Sequence, residues 1–461
     1  MEKASNKVPR KYCLKKLSVY LFLHIITFAI ILSVFIFQPK QAHDFPVLRM
    51  VIIFFATTLL TKYFLYMFIS PWHDVQMAYW DKKRARAVRR YRPLVSVMIP
   101  AWNEEVGILD TVQSLLGSTY KKVELIIVND GSTDNSDKMI REYIEQYYRM
   151  NPSSYRRIEI VYHYKQNGGK GAALNTAIEL AKGEILMSID ADCLVMPDTI
   201  KNFVRQFANP KVMAAVGNVK VGNTRTIIGV IQYLEFLFSF YFKKADSLMN
   251  TIYIIGGAAG AFRRKALDVV GVYNTKNITE DIDLSLRIQV AGFKIVYASD
   301  AVVYTEGASE LSSLMKQRLR WKRGRFETFF ENHKMFFSLK KQHNKILCWI
   351  ILPLAYFGEV QLSLELFFVA FLYVYSFMVS DFSSFISGIV VVSSMFFVQM
   401  FFDDRKNQGL GFYLLSPIGW LLFYIATYVE FNALIKSVWG LIRKKELKWQ
   451  KWKREGLLEQ H

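Results

Sequence analysis

With 461 residues, 52% of them hydrophobic, this chain is too long and too apolar to be a small basic soluble domain. Its formal net charge of +20 does not make it a nucleic-acid binder, because most of the excess Lys and Arg flank apolar runs, where anionic lipid headgroups account for them. Cys13, Cys193 and Cys348 stand apart, without disulfide or metal-ligand spacing, which fits a reduced compartment.

Two apolar stretches open the chain, Val19–Phe37 and Val47–Ile69, each long enough to cross roughly 30 Å of hydrocarbon. The residues after the first, Phe35-Ile36-Phe37-Gln38-Pro39-Lys40, offer no small-residue cleavage site, so it reads as an anchor. Lys3, Lys7, Arg10, Lys11, Lys15 and Lys16 precede it, and Lys82, Lys83, Arg84, Arg86, Arg89, Arg90 and Arg92 follow the second stretch. The loop between holds only Lys40 and His43, so the positive-inside rule predicts a cytoplasmic N-terminus and a cytoplasmic central region.

The central region alternates strand and helix patterns. Strands are predicted at Leu94–Pro100, Val123–Val128, Ile158–Tyr164 and Glu184–Ile189; helices at Glu104–Leu116, Asp134–Tyr148 and Lys170–Ala181. This is an α/β class pattern implying a mostly parallel sheet, whose ligands bind beyond the carboxyl ends of its strands. Polar groups stand at those ends: Asn103-Glu104, Asn129-Asp130 and Asp190-Ala191-Asp192. Carboxylates at alternate positions off a buried strand repel each other unless a cation joins them, and a hard divalent ion held together with substrate phosphates suits the pair. Two solvated loop aspartates would give the same spelling. Asp130-Gly131-Ser132-Thr133-Asp134 can cap a helix, and its carboxylate can also accept an N–H from a base. Asn167-Gly168-Gly169-Lys170-Gly171 lacks the P-loop spacing and serves equally as a plain loop.

Thr279-Glu280-Asp281 precedes an amphipathic helix, where acidic residues suit the helix dipole. Sugar transfer with inversion needs one general base, and a carboxylate here would serve. Further on, Gln317, Arg320 and Trp321 recur at i, i+3 and i+4 and share one helix face. A guanidinium fork matches phosphate, and an indole can support the apolar face of a pyranose. The same stretch could be an ordinary basic surface helix. Beyond it, Ile350–Val379 is too long for one straight span and carries Pro353, Glu359 and Glu365, while Phe385–Phe402 and Phe412–Val429 read as further spans. Three crossings would place the basic end outside, against its charge, so either one segment only dips into the bilayer or Ile346–Val379 crosses twice. The organisation is thus 1–93 membrane region, 94–310 sheet domain, 311–345 interfacial helices and 346–461 further spans with a basic tail.

Taken together, Pro100-Ala101-Trp102-Asn103-Glu104-Glu105, Asn129-Asp130-Gly131, Asp190-Ala191-Asp192, Thr279-Glu280-Asp281 and Gln317-x-x-Arg320-Trp321 resemble the processive, membrane-embedded family 2 glycosyltransferases, which make poly-N-acetylglucosamine, hyaluronan, chitin oligomers and cellulose. The resemblance covers about Leu94 to Phe330. It implies a GT-A domain inserted between transmembrane helices, a UDP-sugar donor, a growing polysaccharide acceptor, a surrounding lipid bilayer and a small membrane or envelope accessory protein. By the resemblance, Pro100, Asn103, Glu104, Asp130, Lys170, Asp190, Asp192, Gln317 and Arg320 bind the nucleotide sugar. Asp190 and Asp192 would hold Mg2+ or Mn2+, Asp281 would be the base beside Glu280 and Thr279, and Trp321, Gly257 and Arg263 would meet the acceptor. The tail Trp449–Gly456 and the short chain after the last span are similar to the poly-N-acetylglucosamine branch rather than to cellulose synthases, whose cyclic-dinucleotide domain would not fit. Single-sugar transfer to a lipid carrier and a silent export subunit are the competing expectations.

Overall fold

The computed structural model describes residues 65–151, 158–379, 382–401, 403, 413–443 and 454–457, with a few isolated positions before residue 30. The predicted span Val19–Phe37 and most of Val47–Ile69 lie outside the described residues, as do Trp449–Lys453 of the tail.

In chain order the elements are α1 (Pro71–Arg90), β1 (Val95–Ala101), α2 (Ile108–Leu116), β2 (Val123–Asp130), α3 (Ser136–Met150), β3 (Glu159–Lys165), α4 (Lys170–Leu180), β4 (Ile185–Ser188), β5 (Cys193–Val195) and α5 (Thr199–Phe207). There follow β6 (Val212–Val221), α6 (Ile227–Met249), β7 (Gly260–Arg263), α7 (Arg264–Val270), α8 (Glu280–Val290), β8 (Lys294–Thr305), α9 (Leu311–Glu331), α10 (Leu352–Val379), α11 (Ser383–Phe401) and α12 (Gly419–Ile442). They divide into two compact units. One comprises Met1–Ala85, Leu237–Leu248 and Glu359–Tyr428; the other comprises Arg86–Phe236, Met249–Gly358 and Val429–His461 and contains the sheet.

The sheet has eight strands in the order β3-β2-β1-β4-β7-β6-β8-β5. The strands β3, β2, β1 and β4 are mutually parallel, as the alternating pattern predicts. β2 is buried along its whole length and β1 nearly so, because a parallel sheet is covered on both faces. The helix and strand boundaries in this half fall within a few residues of the sequence reading, the first helix starting latest, at Ile108 after the turn that follows β1. β7 is the departure: it runs antiparallel between β4 and β6. Its segment Gly260-Ala261-Phe262-Arg263 has no turn signal at its start and follows three small residues, so it reads as a loop until β4 and β6 pair with it.

In the other half of the chain, α10 is one continuous helix of 28 residues. A π turn at Leu347–Ile351 leads into it. Pro353 follows just after that turn, and the helix continues through it without a break, so it does not divide the segment into two separate helices. At 1.5 Å per residue the helix is about 42 Å long, more than the hydrocarbon core requires. The last helix begins at Gly419, after the Ser416-Pro417 turn, rather than at Phe412, and runs on to Ile442. Among the described residues two helices are long and apolar enough to cross a membrane, Leu347–Met378 and Gly419–Ile442, with a shorter apolar helix at Ile389–Met400.

Candidate active site

Four parallel strands present their carboxyl ends along one edge, and each ends in polar chemistry. The turn after β1 is stitched to the turn after β2. Asn103 takes a positive φ of 55° and its Oδ1 accepts the Thr133 N–H at 2.7 Å, while its own N–H donates to Ser132 Oγ at 2.9 Å. The Glu104 N–H donates to Ser136 Oγ at 2.9 Å, and the Glu104 side chain is buried. Pro100 sits within β1, opposite Val128, and contributes backbone there.

Asp130 ends β2 and is buried. Its Oδ1 accepts from Lys165 Nζ at 2.7 Å and Gly168 N at 3.0 Å, and its Oδ2 from Gly169 N at 2.7 Å. A carboxylate has about four acceptor positions, so about one remains for a ligand N–H. Gly131 (φ +72°) is required here, since a Cβ would lie 2.8 Å from the Asn167 nitrogen. The glycine loop therefore wraps a carboxylate and delivers Lys170, the first residue of α4.

Lys170 Nζ lies 2.5 Å from Asp190 Oδ1 and 3.8 Å from Glu280 Oε1. Burial disfavours its charge, but Asp190, Glu280 and Asp281 outweigh that and hold the ammonium protonated above the ordinary lysine value. Burial pushes the Glu280 carboxyl up; Lys170 pulls it down, Asp281 raises it further and Arg320 lowers it, which places Arg320 in the field of this cluster. Thr279 stands at the N-cap position of α8 without a side-chain cap bond, and its N–H donates to Asn277 Oδ1 at 2.9 Å. Asp281, in the first turn of α8, accepts the Gly257 N–H on Oδ2 at 3.0 Å. A Cβ on Gly257 would stand 2.6 Å from Lys170 Nζ and 3.4 Å from Asp190 Oδ1. Gly257 is thus the meeting point of Lys170, Asp190 and Asp281, and its lack of a side chain leaves room for the Lys170 ammonium beside Asp190.

The structure does form the shared face of Gln317, Arg320 and Trp321, on α9. Gln317 is buried and its Oε1 has no hydrogen-bond partner among the described residues. Trp321 carries the Arg318 guanidinium over its ring at 4.5 Å. Arg318 is in turn held by Glu235 Oε2 at 2.6 Å and Glu430 Oε1 at 3.4 Å. Gly324 sets the approach of α9 to α8: a Cβ there would meet Thr279 Oγ1 at 2.2 Å.

Arg263 is a correction. It ends β7 beside Ile185, the first residue of β4, and therefore lies at the amino edge of the sheet, away from Asp190. Its guanidinium donates to Phe207 O at 2.7 Å, to Tyr91 Oη at 3.0 Å and to Glu184, so it is a structural strut rather than an acceptor contact. In the other direction, Lys165 and Arg454 pair with carboxylates named above, Gly324 packs on Thr279 and Glu306 accepts the Glu455 N–H, contacts that were not read from sequence. Arg454 Nη2 lies 2.6 Å from Asp192 Oδ2 and its Nε 3.5 Å from Glu104 Oε2. The only signal for Arg454 was its place in the tail motif.

This geometry can be compared with known proteins. The model of "Glycosyl transferase family 2" matches residues 96–271 and that of "Glycosyl transferase family group 2" matches residues 185–396. A poly-beta-1,6-N-acetyl-D-glucosamine synthase of Staphylococcus epidermidis strain RP62A is 30% identical over 356 residues, 75% of this chain and 84% of the relative. The chain belongs to glycosyl transferase family 2. A second S. epidermidis synthase of the same name is 29% identical over the same shares of the two chains. Among solved structures, a mannosyltransferase from Pyrobaculum calidifontis, in complex with GDP-Man and Mn2+, superposes with a TM-score of 0.51 at 19% identity, covering 83% of this chain and 99% of that one. That likeness is one of fold, and this family 2 glycosyltransferase has the GT-A type of mixed sheet.

Proposed function

We propose that the enzyme polymerises a β-linked polysaccharide from a UDP-sugar, UDP-GlcNAc in the first instance, with inversion at the anomeric carbon, on the cytoplasmic side of a membrane that its own helices cross more than once. The observation that carries this reading is the convergence of Lys170, Asp190 and Asp281 at Gly257, taken with relatives named as poly-beta-1,6-N-acetyl-D-glucosamine synthases. Two helices long and apolar enough to span support the bilayer as a partner.

In this reading the Asp281 carboxylate takes the proton of the acceptor hydroxyl. The hydroxyl oxygen bonds to the anomeric carbon of the donor as the bond from that carbon to the diphosphate oxygen breaks, and UDP leaves. Lys170 and Arg320 offer positive charge to the departing diphosphate, and Gln317 its amide. Asp130 retains an acceptor position for a base N–H. Trp321 supports the ring of the sugar being extended. The carboxylate oxygens of Asp190 and Asp192 are the donors a hard divalent ion takes, and the ion pair of Asp192 with the Arg454 guanidinium supports a cation there. Mg2+ or Mn2+ held there would supply charge neutralisation of the diphosphate.

Purified protein in lipid, given UDP-GlcNAc, UDP-glucose or UDP-glucuronate with Mg2+ or Mn2+, should release UDP and build a product whose length grows with time and which linkage-specific hydrolases digest. One sugar on a lipid carrier would overturn the polymerase reading. Polymer export without turnover of any UDP-sugar would mean a silent subunit.

A further inference from the structure

The segment Arg454–Leu457 returns to the sheet domain and is fixed there by several independent contacts. Glu306, at the end of β8, accepts the Glu455 N–H at 2.8 Å on one carboxylate oxygen and the Gly456 N–H at 3.3 Å on the other. Gly456 has a φ of +78°, which a glycine adopts without strain. Leu457 is buried, its Cδ2 within 2.6 Å of where a Cβ on Gly222 would be. From this base Arg454 reaches inward to Asp192 at 2.6 Å and Glu104 at 3.5 Å, with the side chains of all three about nine-tenths buried.

Two buried carboxylates from different strand ends would destabilise the fold if left unpaired. A guanidinium between them answers both, and it is supplied by the tail rather than by the sheet. A divalent cation bound to the Asp192 carboxylate would meet like charge at hydrogen-bond distance, so cation and guanidinium exclude each other there.

We propose that Arg454 is a tail-borne positioning residue of the donor site, which holds Asp192 and Glu104 in the nucleotide-free enzyme and gives up Asp192 when a divalent cation takes that carboxylate. The proposal rests on the reading of Asp192 as a metal carboxylate. Cation affinity and tail docking are then reciprocal: whatever factor the tail costs the cation, the cation costs the tail.

Mn2+ binding to the full-length, nucleotide-free protein, followed by the electron paramagnetic resonance of free Mn2+, tests this without turnover. Arg454→Gln should tighten Mn2+ binding by about tenfold, within the usual range of such couplings. Arg454→Lys, which keeps the charge but loses the fork, should lie between. In the wild type, Mn2+ should also speed trypsin cleavage after Arg454, whose side chain is otherwise buried. Circular dichroism and the unfolding temperature establish that each variant is folded. Unchanged or weaker Mn2+ binding in Arg454→Gln, with Asp192→Asn still abolishing it, would overturn the competition while sparing the donor-site reading. Mn2+ binding that survives Asp192→Asn would overturn both.

Discussion

At the residue scale the site depends on one glycine and one carboxylate. Asp281 is held by the Gly257 N–H at 3.0 Å on Oδ2 and by the Ile282 N–H at 2.9 Å on Oδ1, so the carboxylate is oriented before any acceptor arrives. Replacing it with Asn preserves size and removes the carboxylate proposed as the base. Asp281→Asn should lower kcat by roughly 10²–10⁴-fold while leaving the affinity for UDP within a few fold. Steady-state kinetics beside calorimetric UDP binding would check this, and a variant as fast as wild type would remove Asp281 from the role of base. Gly257→Ala drives a methyl to within 2.6 Å of Lys170 Nζ. The ammonium must then leave Asp190 or the Gly257 loop must move off Asp281, and either change should cost more than tenfold in kcat/KM. The carboxylates were legible in the sequence because strand ends in an α/β pattern announce where ligands bind. Arg263 was misplaced for a matching reason: it ends a strand that runs the opposite way, and a short antiparallel strand has no periodicity by which to know its direction.

At the element scale, α9 carries the aromatic and guanidinium face, and its placement rests on two features that spacing alone does not reveal. Gly324 permits contact with the cap of α8, and a Cβ would lie 2.2–2.7 Å from three atoms of Thr279. Gly324→Ala should separate α9 from α8, lower the unfolding temperature and reduce activity together, whereas Gly→Ala at an open helix position raises helix stability by about 1 kcal/mol. A more stable, fully active Gly324→Ala would show that the contact does not position the helix. The second feature is the charge cluster of Glu235, Arg318, Lys322 and Glu430, in which Lys322 Nζ lies 2.8 Å from Glu430 Oε2. Burial pushes the Glu235 carboxyl up to about 6, against its ordinary 4.5, despite the pull of Arg318. The folded state therefore binds more protons between about pH 4.5 and 6, so this group's contribution to stability is lost as pH rises through that window. The shift corresponds to about 2 kcal/mol. The stability of wild type relative to Glu235→Gln, measured by denaturant titration, should fall by that order between pH 4 and pH 7. A difference that stays flat would mean that Glu235 does not titrate there.

At the scale of the whole molecule, the sequence displays the two chemistries of the enzyme separately. Alternating strands and helices make the donor half of the sheet readable, and long apolar runs make the helices of the C-terminal region readable. The pairing of β7 and β8 with the rest of the sheet, and the return of Arg454 to the end of β4, join residues far apart in sequence, which no local pattern encodes. The proposed polymerisation would require that donor chemistry and product movement be coupled, because each added sugar must clear the acceptor position before the next transfer. Trp321, with the Arg318 guanidinium over its ring and one helical turn beyond Gln317, whose buried Oε1 has no hydrogen-bond partner among the described residues, is the residue in which that coupling is tested most directly. If Trp321 supports the acceptor ring, Trp321→Ala removes stacking while leaving the donor carboxylates and Lys170 in place. Product chains should then shorten by at least several fold at a UDP affinity within a few fold of wild type, as read by product sizing beside UDP binding. Equal loss of UDP binding and chain length would instead tie Trp321 to the donor, and the acceptor platform would have to be sought on another element.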